Sequence, residues 1–170
     1  MRDTQRQRLY DAEQQVCGQL AFAAAGARAV AVAGSTVTVP LEVRFGTLTA
    51  VADYVAAVQA RPAVAELFPR AARVPLRVRP RAGSRAAHYE APDTIALHDG
   101  TPSLRELIVL HEVAHHGQHH DLAPGPPHGP AFAAMLLRLV EAVVGPEVAL
   151  LLTAAFTEHG VAFTPTRDVA

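Results

Sequence analysis

The 170-residue chain has one cysteine and no tryptophan, and it contains no lysine and no asparagine. A lone Cys17 cannot form an internal disulfide, so the fold is not stapled and a reducing, cytoplasmic setting is expected. Cys17 lies among Gln14, Gln15 and Gln19, where a small helix residue is expected rather than a nucleophile. Without lysine there is no Schiff-base former. All fifteen basic residues are arginine, and sixteen acidic residues bring the formal charge to −1. Nothing in that balance points to bulk attraction to nucleic acid or to an anionic membrane. The most apolar early run, Leu20 to Gly34, is alanine-rich and broken by Arg28, so no membrane span is expected. The polar opening, Met1 to Gln15, does not read as a signal peptide. Charged residues make up only 18% and hydrophobic residues 50%. That excludes a solvated, disordered chain and supports a single domain over residues 1–170.

Helical spacing of Leu9, Ala12, Val16, Leu20 and Ala23 predicts a helix over Thr4 to Ala25, stopped by Gly26. Val37 to Arg44, with Pro40 inside it, reads as a short strand or two extended pieces. Leu48, Val51, Val55 and Val58 predict a helix from Thr47 to Ala60, with a further helical turn over Pro62 to Phe68. Val74 to Arg79 alternates as a strand does, and Ala86 to Glu90 with Thr94 to His98 reads as a hairpin. Ser103 followed by Glu106 fits a capping box opening a helix from Leu104 to about Gln118. Leu104, Leu107, Ile108, Val109, Leu110, Val113 and Ala114 leave that helix almost no polar face, so it is expected to be buried. The proline-rich Asp121 to Pro130 is a loop. Phe132, Met135, Leu136, Leu139, Val140 and Val143 mark the next helix, and Gly145-Pro146 separates it from a last one over Glu147 to His159.

His111-Glu112-Val113-Ala114-His115 falls on the buried helix. Histidines at i and i+4 share a helix face, so their imidazoles can converge on one ion. Glu112 is rotated by about 100° from His111, and borders the ion as a candidate general base for a metal-activated water. Buried imidazoles and carboxylates need partners, and one ion would satisfy all three side chains. A catalytic zinc site takes three protein ligands and an open position. The third ligand has three candidates: His128, ahead of the next helix; Asp121, six residues after the second histidine; and a later glutamate, Glu141 or Glu147. Ligand type favours zinc over other divalent ions.

His111 to His115, followed after twelve residues by His128-Gly129-Pro130-Ala131-Phe132, resembles the signature of SprT-like zincin metalloproteases. The resemblance implies that His128 is the third zinc ligand, and that the fold is α+β and zincin-like. Such a fold places a small sheet of three to four strands beside the active-site helix. A wider resemblance covers nearly the whole chain. Arg2-Asp3-Thr4-Gln5-Arg6-Gln7-Arg8, Arg85-Ala86-Ala87-His88-Tyr89-Glu90 and Gly145-Pro146-Glu147-Val148 are similar to an actinobacterial family of metallohydrolases with this motif. The implied activity is zinc-dependent hydrolysis of a peptide or amide bond, with Glu112 as catalytic base and His111, His115 and His128 as metal ligands. The partner would be a peptide or protein substrate. SprT-like proteases that act on DNA-bound proteins are basic or carry a cysteine-rich zinc ribbon. This chain has neither feature, so a nucleic-acid substrate does not carry over.

The neighbouring residues admit plainer roles. His116, His119 and His120 read as a solvated helix end rather than a second metal site. Tyr89 reads as strand packing before an oxyanion donor. Asp99-Gly100 reads as a turn before a partnership of Asp99 with His98 behind a ligand imidazole. The arginines from Arg70 to Arg85 read as the outer face of a strand. The rival to the hydrolase is a zinc-stabilised binding module without turnover, which would have no use for Glu112.

Overall fold

In the computed structural model, which describes residues 3–26, 28–82, 87–99 and 104–163, helices and two small sheets make an α+β fold. Arg2, Arg85, Ala86, Gly100 and Ser103, which carry expectations above, lie outside those residues. In chain order the elements are α1 Arg6–Ala24, β1 Ala29–Val32, β2 Ser35–Thr38, α2 Leu48–Gln59 and α3 Pro62–Leu67. A 3₁₀ turn at Ala71–Arg73 follows. Then come β3 Arg77–Pro80, β4 His88–Glu90, β5 Thr94–Leu97, α4 Glu106–Asp121, α5 Pro130–Val143 and α6 Pro146–Glu158. The contacts group them into two units, Met1–Leu41 with Pro124–Ala170, and Glu42–Ala123.

In the first unit α6 packs against both α1 and α5. Leu9, Val16, Phe132, Leu136, Leu139, Leu152 and Phe156 are buried in it. The first five of these come from the expected apolar stripes. Gly145 (φ +130°) and Gly160 (φ +64°) stand at the two ends of α6, in backbone conformations that a side chain disfavours. The Gln5 amide donates to the Ala162 carbonyl and accepts from the Ala162 N–H, both at 3.0 Å, and closes α1 onto the segment after α6. The β1–β2 hairpin is an addition to the sequence reading, which in this part of the chain placed extended structure only at Val37 to Arg44. Ala33 (φ 48°) and Gly34 (φ 79°) form its two-residue turn. Positive φ at both positions suits the twist of a tight hairpin.

In the second unit the sheet order is β3-β5-β4. The middle strand β5 runs parallel to β3 and antiparallel to β4. Ile95, Ala96 and Leu97 of β5 are wholly buried, as a central strand demands. The outer strand β3 carries Arg77, paired with Asp93 at 2.6 Å, and Arg79, paired with Glu90. The expected strand face of arginines is therefore an ion-paired one. Thr47 caps α2, its Oγ1 accepting from the Ala50 N–H at 3.1 Å. The Gln59 side chain ties down the loop ahead of β3, donating to the carbonyls of Ala71 and Val74 and accepting from the Leu76 N–H.

The start of α4 corrects the capping-box expectation. The helix begins at Glu106, not Leu104, and has no side-chain cap. Leu104 and Arg105 are instead extended: the Phe45 N–H donates to Leu104 O, and Arg44 pairs with Arg105 in an antiparallel bridge. Glu42 accepts both nitrogens of the Arg105 fork at 2.6 and 2.7 Å. Glu106 turns to the Tyr54 hydroxyl, accepting at 2.6 Å, rather than reaching back along its own chain. Backbone pairing with residues 43–45 thus holds the first two expected helical residues in a strand conformation.

Candidate metal centre

α4 packs beside β4 and the 3₁₀ turn. Leu107, Val109, Leu110, His111, Glu112, Val113, Ala114, His116 and Gly117 are all buried, as the unbroken apolar pattern requires. Close approach at Gly117 is one reason the helix can sit so deep. A Cβ there would meet the Phe68 ring at 2.7 Å. His111 and Glu112 are 3% and 5% exposed, and His115 lies one turn on, half-buried.

The Nε2 atoms of His111 and His115 are 3.1 Å apart. Two nitrogens bound to a tetrahedral zinc at 2.0–2.1 Å would stand roughly 3.3 Å apart, so the pair has the spacing of two ligands to one ion. Nδ1 of His115 faces Oε1 of Gln118 at 3.4 Å. With the proton on Nδ1, that amide oxygen would accept it and the Nε2 lone pair would face His111. His128 precedes α5. Its Nδ1 lies 2.6 Å from Oδ2 of Asp3, and its ring meets Tyr10 and Phe132 edge-on at 5.2 and 5.3 Å. Among the described residues, the histidines 111, 115 and 128 lie close enough to bind one metal ion, one ring nitrogen of each being within 4.8 Å of the others. Three imidazoles are a donor set that suits zinc as well as copper, iron or nickel. The spacing therefore suits a metal ion without selecting which one.

The other candidate ligands go elsewhere. Both carboxylate oxygens of Asp121 accept backbone N–H groups, from Arg70 and Ala71 at 2.9 Å each, and so cap the 3₁₀ turn. Glu141 is exposed on α5, and Glu147 lies half-buried in the first turn of α6.

His116 corrects the expectation of a solvated helix end. It is 1% exposed. Its Nε2–H donates to the carbonyls of Ala71 and Val74 at 3.2 and 3.1 Å. Burial holds its pKa below the usual histidine value, with the neighbouring His120 acting in the same direction. Its ring ties α4 to the 3₁₀ turn and the residue after it. His120 donates to Pro92 O at 2.8 Å, and His119 is exposed. Tyr89 lies on β4 with its ring stacked 6.4 Å from that of His115. Its hydroxyl donates to Pro92 O at 2.6 Å. Burial, reinforced by Asp93, pushes its pKa up to about 12. That is the strand packing expected of it, with the hydroxyl proton already committed. Asp99 is exposed at the end of β5.

Sequence reasoning missed Asp3 and Glu13. Glu13 is 2% exposed on α1. Burial raises its carboxyl well above the ordinary range, and His128, when protonated, opposes that rise. Glu13 falls on the apolar stripe of α1, between Leu9 and Val16, and that position was the available signal. Asp3 is separated from His128 by 125 positions, and nothing in the sequence joins them. No family model matches the chain, and no curated protein or solved structure matches it either.

Proposed function

We propose that the chain is a zinc-dependent metallohydrolase of zincin-like, SprT-like type, cleaving a peptide or amide bond. The observation that carries the reading is the pair of Nε2 atoms on one face of α4, 3.1 Å apart, with the buried Glu112 between the two histidines in the sequence. His111, His115 and His128 would hold the ion. A zinc ion bound there supplies Lewis acidity and brings the pKa of water toward neutrality. Glu112 takes the proton from the attacking water and returns it to the leaving nitrogen, so one carboxyl serves as base and then as acid. Gln118 keeps the proton of His115 on Nδ1. The small sheet beside α4 and the histidine after the loop both support a zincin-like arrangement. No helix among the described residues is long and apolar enough to cross a membrane. We place the protein in the cytoplasm on its single cysteine.

Metal content per chain, measured on untagged protein, tests the site. About one zinc per wild-type chain, lost or much weakened in His128→Ala, is expected. No tightly held metal in the wild type would end the metallohydrolase reading. Glu112→Gln then separates enzyme from binding module. The variant is expected to keep its zinc and to lose about 100-fold or more of any peptidase activity found in a substrate screen. Full activity in that variant would remove Glu112 from the chemistry.

A further inference from the structure

An imidazole binds a metal through one nitrogen only when that nitrogen carries the lone pair, so a ligand histidine needs its proton fixed on the other. His128 has a carboxylate placed to do this. Oδ2 of Asp3 lies 2.6 Å from Nδ1, a distance typical of a charge-assisted hydrogen bond. An ionised carboxylate can only accept, so the Nδ1 position holds the proton and Nε2 holds the lone pair. The edge-on rings of Tyr10 and Phe132 limit rotation of the imidazole.

Asp3 has no competing structural task among the described residues. The N-cap of α1 is Gln5, and α1 has no side-chain cap. The second oxygen of Asp3, Oδ1, is buried without a hydrogen-bond partner among the described residues. The carboxylate is therefore held in place through His128, at the cost of one desolvated oxygen.

We propose that Asp3 is a positioning residue of the metal centre: it fixes His128 as the Nδ1–H tautomer and keeps Nε2 as the metal ligand. The inference rests on the three-histidine reading of the site. It also divides the labour between two kinds of partner. Neutral Gln118 serves His115 at 3.4 Å, while charged Asp3 serves His128 at 2.6 Å. The charged contact makes the third imidazole the more basic donor.

Two measurements on the full chain test it: the protonation of the imidazole nitrogens by heteronuclear NMR on metal-free protein, and zinc affinity by competition with a chromophoric chelator. In the wild type His128 should be the Nδ1–H tautomer. In Asp3→Ala that preference should vanish, and zinc affinity should fall roughly 10- to 100-fold, the range typical of such outer partners. The melting temperature of the metal-free protein should stay close to wild type. Wild-type tautomer or wild-type affinity in Asp3→Ala overturns the proposal. If Asp3→Ala folds poorly, Asp3→Asn decides. Its amide can still accept the proton, so a several-fold loss of affinity at an unchanged melting temperature supports the proposal, and unchanged affinity overturns it. A wild-type chain that takes no zinc would sink the metallohydrolase reading, while the tautomer comparison would still decide whether Asp3 sets the ring.

Discussion

Glu106 opens α4 with a carboxyl that is nearly buried, accepting from Tyr54 at 2.6 Å. Burial raises its pKa above the ordinary glutamate value, although the hydrogen bonds from Tyr54 and from the Val43 N–H oppose the rise. The folded state therefore holds this proton more tightly than the unfolded chain does. The stability it contributes is fully present below the unfolded-state pKa, and is lost as pH rises through the folded one. Glu106→Gln keeps an oxygen for Tyr54 and removes the ionisation. Urea midpoints between about pH 4 and pH 7 should lose part of their downward slope in the variant; an unchanged slope would assign the effect to another group. At this scale the closeness of His111 and His115 was legible because residues at i and i+4 share a helix face. His116 was misread, since its position late in the helix suggests solvent. The cover over it comes from the carbonyls of Ala71 and Val74, and no local pattern announces them. Asp3 was illegible for the same reason.

Elements with a strong period were readable, and those governed by pairing were not. α1, α2 and α5 follow from apolar spacing, and α6 from the Gly145-Pro146 and Gly160 that bound it. The Thr47 cap fell at the expected start of α2, and Thr47→Ala should cost about 0.5–2 kcal/mol by denaturant titration. The β1–β2 hairpin was missed because Ala29-Val30-Ala31-Val32 lies in the alanine-rich run from Leu20 to Gly34, which hides its short alternation. Its turn, Ala33-Gly34, lacks the asparagine or aspartate that usually marks one. The start of α4 was placed too early because local capping signals cannot show that residues 43–45 compete for the same backbone. Gly117 makes a sharper test of how α4 is seated. Its missing side chain faces the buried ring of Phe68, and alanine has the higher helix propensity at any unconstrained helical site. Gly117→Ala should nevertheless destabilise the protein, by about 1–3 kcal/mol, because the ring must move to admit a methyl group. A gain in stability would show that the ring yields freely.

At the scale of the whole molecule, one unit is assembled from two distant stretches of chain, Met1–Leu41 and Pro124–Ala170. Periodicity predicts its helices one by one, but not that Gln5 would pair with Ala162 or Arg8 with Gly160. Such pairings depend on which surfaces meet, and a single sequence does not encode them in any short pattern. The three-histidine site draws on the same long-range order, since His128 needs Asp3 while His111 and His115 need only their own helix. A ligand that binds the folded chain and not the unfolded one adds RT ln(1 + [L]/Kd) to stability. Zinc at about 100 times its Kd should therefore add about 2.7 kcal/mol, and a chelator should return the protein to its metal-free midpoint. Glu112→Gln should keep that increment, because the carboxylate is not needed to hold the ion. His128→Ala should lose most of it at the same zinc concentration, because two imidazoles bind far more weakly than three. A midpoint indifferent to both zinc and chelator would mean that the imidazoles are merely packed together, and the proposed chemistry would lose its ion.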